Sequence, residues 1–204
     1  DQGSRLYRSR RESLIAFSCH RYYQSQLITF PSPVTPDDGV VYHHVPGTYQ
    51  RSGARTNRQE AEAVVAFIRR HFLNTSGSVK SLGVVTFSQA QQKLVEDLLD
   101  AARRKEGALD LAISAVKNEP LFIKNLENVQ GDERDIILFS VCYGPDETGR
   151  VFMNFGPLNR EGGPGVADRG RDLAAMADDA LVGQQAGLVA GTEAGDGGEV
   201  EIVV

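Results

Sequence analysis

The sequence holds only two cysteines, Cys19 and Cys142, and neither stands at a metal-ligating spacing. Cys142 closes an apolar run and Cys19 lies on an amphipathic stretch, so both read as buried free thiols, and no disulfide framework can be built from them. No run of about 18 apolar residues occurs, and the first residues carry no apolar region of signal type. A soluble, cytoplasmic protein without membrane contact is therefore expected. There is no Gly-x-x-x-x-Gly-Lys-Ser/Thr segment and no Gly-Lys pair anywhere. Without that loop, the β- and γ-phosphates of a nucleotide and their Mg²⁺ have no backbone cradle, which excludes a complete ATPase in this polypeptide.

At 204 residues one domain is the default, and the chain can bury a sizeable core. The net charge of −5 hides an asymmetry. Residues 161–204 carry nine acidic and two basic side chains, so the first 160 residues are slightly basic, with 20 lysines and arginines against 18 acids. Five arginines fall within the first 21 residues and give that end a local positive field. An acidic chain argues against a general nucleic-acid-coating protein but leaves room for a channel lined by a few cations.

Apolar spacing predicts a helix from Arg11 to about Tyr23, through Leu14, Ile15, Phe17, Cys19 and Tyr22. The proline-rich segment 30–36 breaks it, and Val40-Val41-Tyr42 begins a strand, with 46–56 as an exposed loop. A second helix starts at Asn57, a good N-cap. Glu60 follows three residues later, and Ala61, Val64, Val65, Ile68 and Phe72 form one apolar stripe. Leu82–Phe87 is a short apolar run between turn signals, hence a buried strand. Ser88 with Gln91 then has the spacing of a capping box, opening a helix through Leu94, Val95, Leu98 and Leu99. A weaker helix covers about 108–116, and Leu121–Ile123 and Ile136–Val141 are further strands. Strands alternating with helices imply a parallel, doubly wound α/β sheet, in which ligands bind beyond the carboxyl ends of the strands. His43 and His44 lie on a strand and read as structural.

Five segments stand in a telling order: Leu6-Tyr7-Arg8-Ser9-Arg10; Phe17 with Tyr22-Tyr23 and Leu27; Asn57-Arg58-Gln59-Glu60-Ala61; Gly83 through Gln91; and Gln130-Gly131-Asp132-Glu133 running into Ile136-Ile137-Leu138-Phe139-Ser140. Together they resemble the second, carboxyl-terminal RecA-like domain of superfamily 1 helicases. The likeness is to the nonsense-decay-type branch and related large bacterial helicases, and it covers residues 6 to 163. Five ordered matches are far more specific than any one. The resemblance implies a RecA-like parallel sheet flanked by helices over 1–163, an incomplete helicase domain. Residues 164–204 would then be an atypical Gly/Ala/Asp-rich tail, poorly ordered for want of apolar density.

The resemblance also implies the site. Arg8 would reach the γ-phosphate of ATP from the second domain, where a permanently charged planar donor neutralises spreading phosphoryl charge. Glu133 would accept hydrogen bonds from ribose hydroxyls, with Gln130 and Gly131 in the same loop at the domain cleft. The string 132–135 is no Walker B box, because such an acid follows its apolar strand and this one precedes it. Thr86 and Asn125 fall where family members touch the phosphate backbone of single-stranded nucleic acid, with Lys124 as an electrostatic neighbour; as plain residues they are a strand-end hydroxyl and a turn amide. No metal ligands are expected within the chain.

One family feature is missing. After Asn159–Gly163 the sixth motif, Asn-Val-Ala-x-Thr-Arg-Ala-Arg, should follow, and Pro164-Gly165-Val166-Ala167-Asp168-Arg169-Gly170-Arg171 stands instead. The second catalytic arginine is therefore not carried over to Arg169 or Arg171. The expected function is the carboxyl-terminal half of an ATP-dependent helicase or translocase, using ATP with Mg²⁺ only together with an amino-terminal RecA-like domain and acting on single-stranded DNA or RNA. The rival is a non-catalytic remnant of the same fold that binds nucleic acid or a protein partner.

Overall fold

A computed structural model describes residues 40–74, 77–129, 132, 134–151 and 194–203. The elements are β1 (Val40–His43), α1 (Arg58–Asn74), β2 (Leu82–Thr86), α2 (Gln89–Lys105), α3 (Gly107–Ala115), β3 (Phe122–Asn125), a 3₁₀ turn (Leu126–Asn128), β4 (Arg134–Ser140) and β5 (Ala194–Val203). The five strands form one sheet in the order β1-β5-β4-β2-β3, and every pairing is parallel. The fold is α/β and RecA-like. The expected helix over 11–23 lies outside the described residues.

Alternation along β2 and β4 sends successive side chains to opposite faces. Leu82, Val84, Ile136 and Leu138 pack with Ala61, Val64, Val65, Ile68 and Phe72 of α1, Val95 and Leu99 of α2, and Leu109 and Ile113 of α3. The apolar stripe read from α1 is thus its buried face. Val85, Ile137 and Phe139, on the alternate positions, are buried as well. That double burial explains why β2 and β4 are nearly continuous apolar runs, as central strands of parallel sheets are. Gly83 has a steric reason: a β-carbon there would come 2.3 Å from the Phe122 ring on the neighbouring strand. His43 meets Phe67 of α1 edge-on, with ring centroids 6.3 Å apart.

Two differences from sequence expectation stand out. First, β3 runs Phe122–Asn125, two residues beyond the apolar triplet 121–123, because parallel pairing with Gly83–Thr86 carries Lys124 and Asn125 into the sheet. Second, the sequence assigns no strand to 164–204, yet Ala194–Val203 forms β5 between β1 and β4. The short alternation Glu199-Val200-Glu201-Ile202 is too brief to signal a strand in an otherwise apolar-poor segment. Its backbone groups find partners on both sides: Ile136–Ser140 lies opposite Glu199–Val203, and Val40–His43 opposite Val200–Val203.

Candidate functional site

The carboxyl ends of β2, β3 and β4 align side by side. Thr86 is the register partner of Asn125 on one side and of Ser140 on the other. All three are buried. The Thr86 hydroxyl donates to Ser88 O at 3.0 Å, folding back over the start of α2. Asn125 Oδ1 accepts from Asn128 N at 3.1 Å, capping the 3₁₀ turn that leaves β3. Lys124 Nζ donates to Asp132 Oδ2 at 2.6 Å and sits 5.2 Å from the Phe122 ring centroid. The structure thus brings Thr86 and Asn125 together at one end of the sheet, each with a hydrogen bond of its own, and holds Lys124 against Asp132. Arg8, Gln130, Gly131 and Glu133 lie outside the described residues.

The segment entering β4 lies toward the other end of the sheet, and its flanks are fixed. Asp132 N donates to Val129 O at 3.2 Å. The Asp135 carboxylate accepts from Ser81 N (2.7 Å) and Ser81 Oγ (2.9 Å), while Asp135 N donates to Ser81 Oγ at 2.9 Å. These bonds join the amino ends of β2 and β4.

Behind the Thr86–Ser140 row lies a buried polar network that the sequence reading treated as two local helix caps. The first half of each cap is present: Asn57 Oδ1 accepts from Glu60 N at 3.2 Å, and Ser88 Oγ accepts from Gln91 N at 3.2 Å. The returning half of each is not. Gln91 leaves its own helix and grips the Asn57 peptide, with Oε1 accepting from Asn57 N and Nε2 donating to Asn57 O, both at 3.0 Å. It also donates to Ser140 Oγ at 3.3 Å. The Glu60 carboxylate reaches β4 instead, where Oε1 accepts from Ser140 Oγ at 2.6 Å and Cys142 N at 2.9 Å.

Glu60 is fully buried, and among the described residues its Oε2 has no hydrogen-bond partner. Burial in low dielectric pushes its pKa up to about 7, against the opposing pull of the bonds from Ser140 and the backbone at Cys142 and Val141. A carboxyl half protonated near neutrality is thereby built under the strand ends. Cys142, the buried free thiol anticipated from its place after an apolar strand, is pushed well up by burial and then by the Glu60 charge. Its backbone is left-handed, with φ of 60°, a conformation that costs a non-glycine residue of order 1 kcal/mol. The Glu60 bond to its N–H helps to hold it there. In sequence Glu60 and Gln91 stand as third residues of cap motifs and within two of the five ordered segments, and nothing local tells such a residue to reach across to another element. Among the described residues, no cluster of three metal-ligating side chains occurs and no helix is long and apolar enough to cross a membrane.

A family model described as an AAA domain matches residues 5–154. Among curated proteins, the chain is 36% identical over 165 residues to an uncharacterized ATP-dependent helicase, MG140, of Mycoplasma genitalium, covering 77% of this chain and 14% of that protein. It is likewise 36% identical over 161 residues to the homolog of that helicase in Mycoplasma pneumoniae, with the same coverage of each. The chain therefore spans about one seventh of the length of these relatives. Matching this family over most of its length, on a parallel α/β sheet, the chain belongs to the AAA-domain family as a superfamily 1 helicase-like domain.

Proposed function

We propose that the chain is the second RecA-like half of an ATP-dependent helicase or translocase, contributing one wall of the nucleotide cleft and part of a single-strand track. The observation that carries the reading is the alignment of Thr86 and Asn125 at the carboxyl ends of adjacent parallel strands, in a chain whose relatives are ATP-dependent helicases. Small hydroxyl and amide groups at the ends of strands are of the kind that makes sequence-blind contact with phosphates of single-stranded DNA or RNA. Arg8 would supply the charged fork toward the γ-phosphate, and Gln130, Gly131 and Glu133 the acceptors toward the ribose. The phosphate cradle and Mg²⁺ belong to an amino-terminal RecA-like partner domain, since the chain has no phosphate loop. Bound there, ATP with Mg²⁺ supplies the free energy of phosphoryl transfer. This chain's own part is to orient the nucleotide, neutralise charge and carry the strand.

The test joins the full chain to a first RecA-like domain carrying the phosphate loop, with the missing sixth-motif arginine restored. Single strands should then stimulate ATP hydrolysis. Arg8→Ala should cut turnover by about 10³-fold or more, as loss of an arginine finger does, and Arg8→Lys should restore little because the fork is lost. Glu133→Gln should raise KM for ATP more than it lowers kcat. Unchanged kinetics in both variants would refute the site assignment. The second reading, a non-catalytic module, is favoured by the substitution of 164–171 for the sixth motif. It predicts strand or partner binding by the chain with no hydrolysis in the joined protein.

A further inference from the structure

Residues 40–59, from β1 into the first turn of α1, contain no acid and three arginines, Arg51, Arg55 and Arg58. Arg58 is paired with Glu62 one turn on, at 2.9 Å. Arg51 and Arg55 belong to a tight hairpin. Tyr49 and Asn57 bridge antiparallel at its base, Gln50 N donates to Thr56 O at 2.9 Å, and Arg55 N donates to Gln50 O at 2.9 Å. Residues 50–55 are all exposed, whereas Thr56 and Asn57 are buried. Arg55 is left-handed, with φ of 57°, a conformation that suits glycine or asparagine and that arginine adopts rarely.

The base of the hairpin is held from three sides. Gln91 grips the Asn57 peptide. Gly47 passes so close to the Asn57 side chain that a β-carbon there would come 2.3 Å from Oδ1. Tyr49 N donates to Pro145 O at 2.9 Å, and the Tyr49 ring lies 5.3 Å from that of Tyr143. Tyr143 and Pro145 follow β4, and the hairpin itself follows β1, so it stands at the carboxyl ends of the strands, the edge that carries Thr86 and Asn125. The Gln91 amide that holds Asn57 also donates to Ser140 Oγ, the register partner of Thr86. Burial pushes the Tyr49 and Tyr143 hydroxyls up, and the Arg55 charge is near enough to both to pull against it. Among the described residues no carboxylate forms an ion pair with Arg55. Asp146, next to Pro145, is engaged in its own turn, accepting from Thr148 N, Thr148 Oγ1 and Arg150 N.

We propose that this hairpin is a phosphate-binding arm of the single-strand track, with Arg51 and Arg55 each taking a backbone phosphate. The proposal rests on the reading of the strand carboxyl ends as that track. It supplies the charge that the track otherwise lacks, because Thr86 and Asn125 are neutral, buried and bonded within the protein. A guanidinium on a fixed tip binds phosphate oxygens through its planar fork and needs no base.

The test measures binding of the full chain to fluorescein-labelled oligo-dT and oligo-U by anisotropy over a range of KCl. A cation on a single-strand phosphate releases about 0.7 counterion, so each contact adds about 0.7 to the salt slope and about fivefold to affinity at 0.1 M salt. Arg51→Gln and Arg55→Gly should therefore each lower the slope by about 0.7 and weaken binding of either oligonucleotide by about fivefold, and the double variant should lose both contacts. Glycine suits the left-handed backbone, so Arg55→Gly should melt within a few degrees of wild type, which separates lost binding from lost fold. Arg51→Lys should keep the slope, because a lysine releases the same counterion. Arg104→Gln removes an exposed charge from the far end of α2 and should leave the slope unchanged. Wild-type slopes in Arg51→Gln, Arg55→Gly and the double variant, with strand binding retained, would overturn the proposal and leave the track reading intact. An equal fall in slope for Arg104→Gln would reduce the attraction to overall charge and overturn it too. So would competition by poly-glutamate as strong as that by unlabelled oligo-dT, which would make the hairpin a docking surface for an acidic protein. If the full chain binds neither oligonucleotide at the lowest salt, the track reading and the proposal fall together.

Discussion

Glu60 makes stability depend on pH in a direction opposite to that of most paired carboxylates. Its pKa is about 7 in the folded protein, against 4.5 for an ordinary glutamate. A raised carboxyl binds its proton more tightly when folded, so folding is favoured in acid and loses that advantage as pH rises. The contribution is complete below about 4.5, declines between there and about 7, and is gone above. At about 1.4 kcal/mol per pH unit, the loss across that window is of order 3 kcal/mol. The structural cause is burial, which penalises the charged carboxylate; Oε1 accepts two bonds and would keep them when ionised, while Oε2 has no partner among the described residues. Glu60→Gln keeps the acceptor and is neutral at every pH, so it should remove the dependence. Urea denaturation of both proteins at pH 5, 6, 7 and 8 should show the wild type losing about 2.5 kcal/mol relative to the variant, most of it before pH 7. Tyr42 and Cys142, the groups that feel the Glu60 charge, titrate above this window and leave it clean. Parallel curves for the two proteins would mean that Glu60 is ionised in the fold and that its second oxygen has a partner.

Gln91→Leu should cost about 1–3 kcal/mol by chemical denaturation, because it strands the Asn57 N–H in a buried site, while Asn57 O keeps its bond from Ala61 N; loss of a surface cap would cost about 1. Gly83→Val should displace the Phe122 ring and destabilise by about 1–3 kcal/mol, with the Phe122 ring signals in NMR changing position as the ring leaves its place over residue 83. Truncation after residue 193 should lower the melting temperature by well over the few degrees expected for a loose tail, since both β4 and β1 lose their parallel neighbour; an unchanged melting temperature would show that β5 adds nothing to the sheet. As an isolated chain the protein should hydrolyse no ATP with Mg²⁺, and robust turnover abolished by Arg8→Ala would refute its reading as a half-site.

The sequence by itself determined the parts whose causes are local. The stripe Ala61–Phe72 and the cap at Asn57 define α1, Ser88 opens α2, and the apolar runs at 82–86 and 136–140 can only be buried strands. The order of its motifs was enough to name the helicase family, because a motif series is written along the chain. Tertiary structure decided what lies across it. Asn57-x-x-Glu60 and Ser88-x-x-Gln91 have the spacing of self-contained caps, yet Glu60 bonds to Ser140, 80 residues away, and Gln91 to Asn57, 34 away. Parallel packing brings two helix starts and a strand end into one dry place, and there a long polar side chain satisfies a distant partner that its own helix does not need it for. The same reason governs Lys124, whose ammonium is held by Asp132 beside the Phe122 ring, and β5, whose place in the sheet is set by the open edges of β1 and β4.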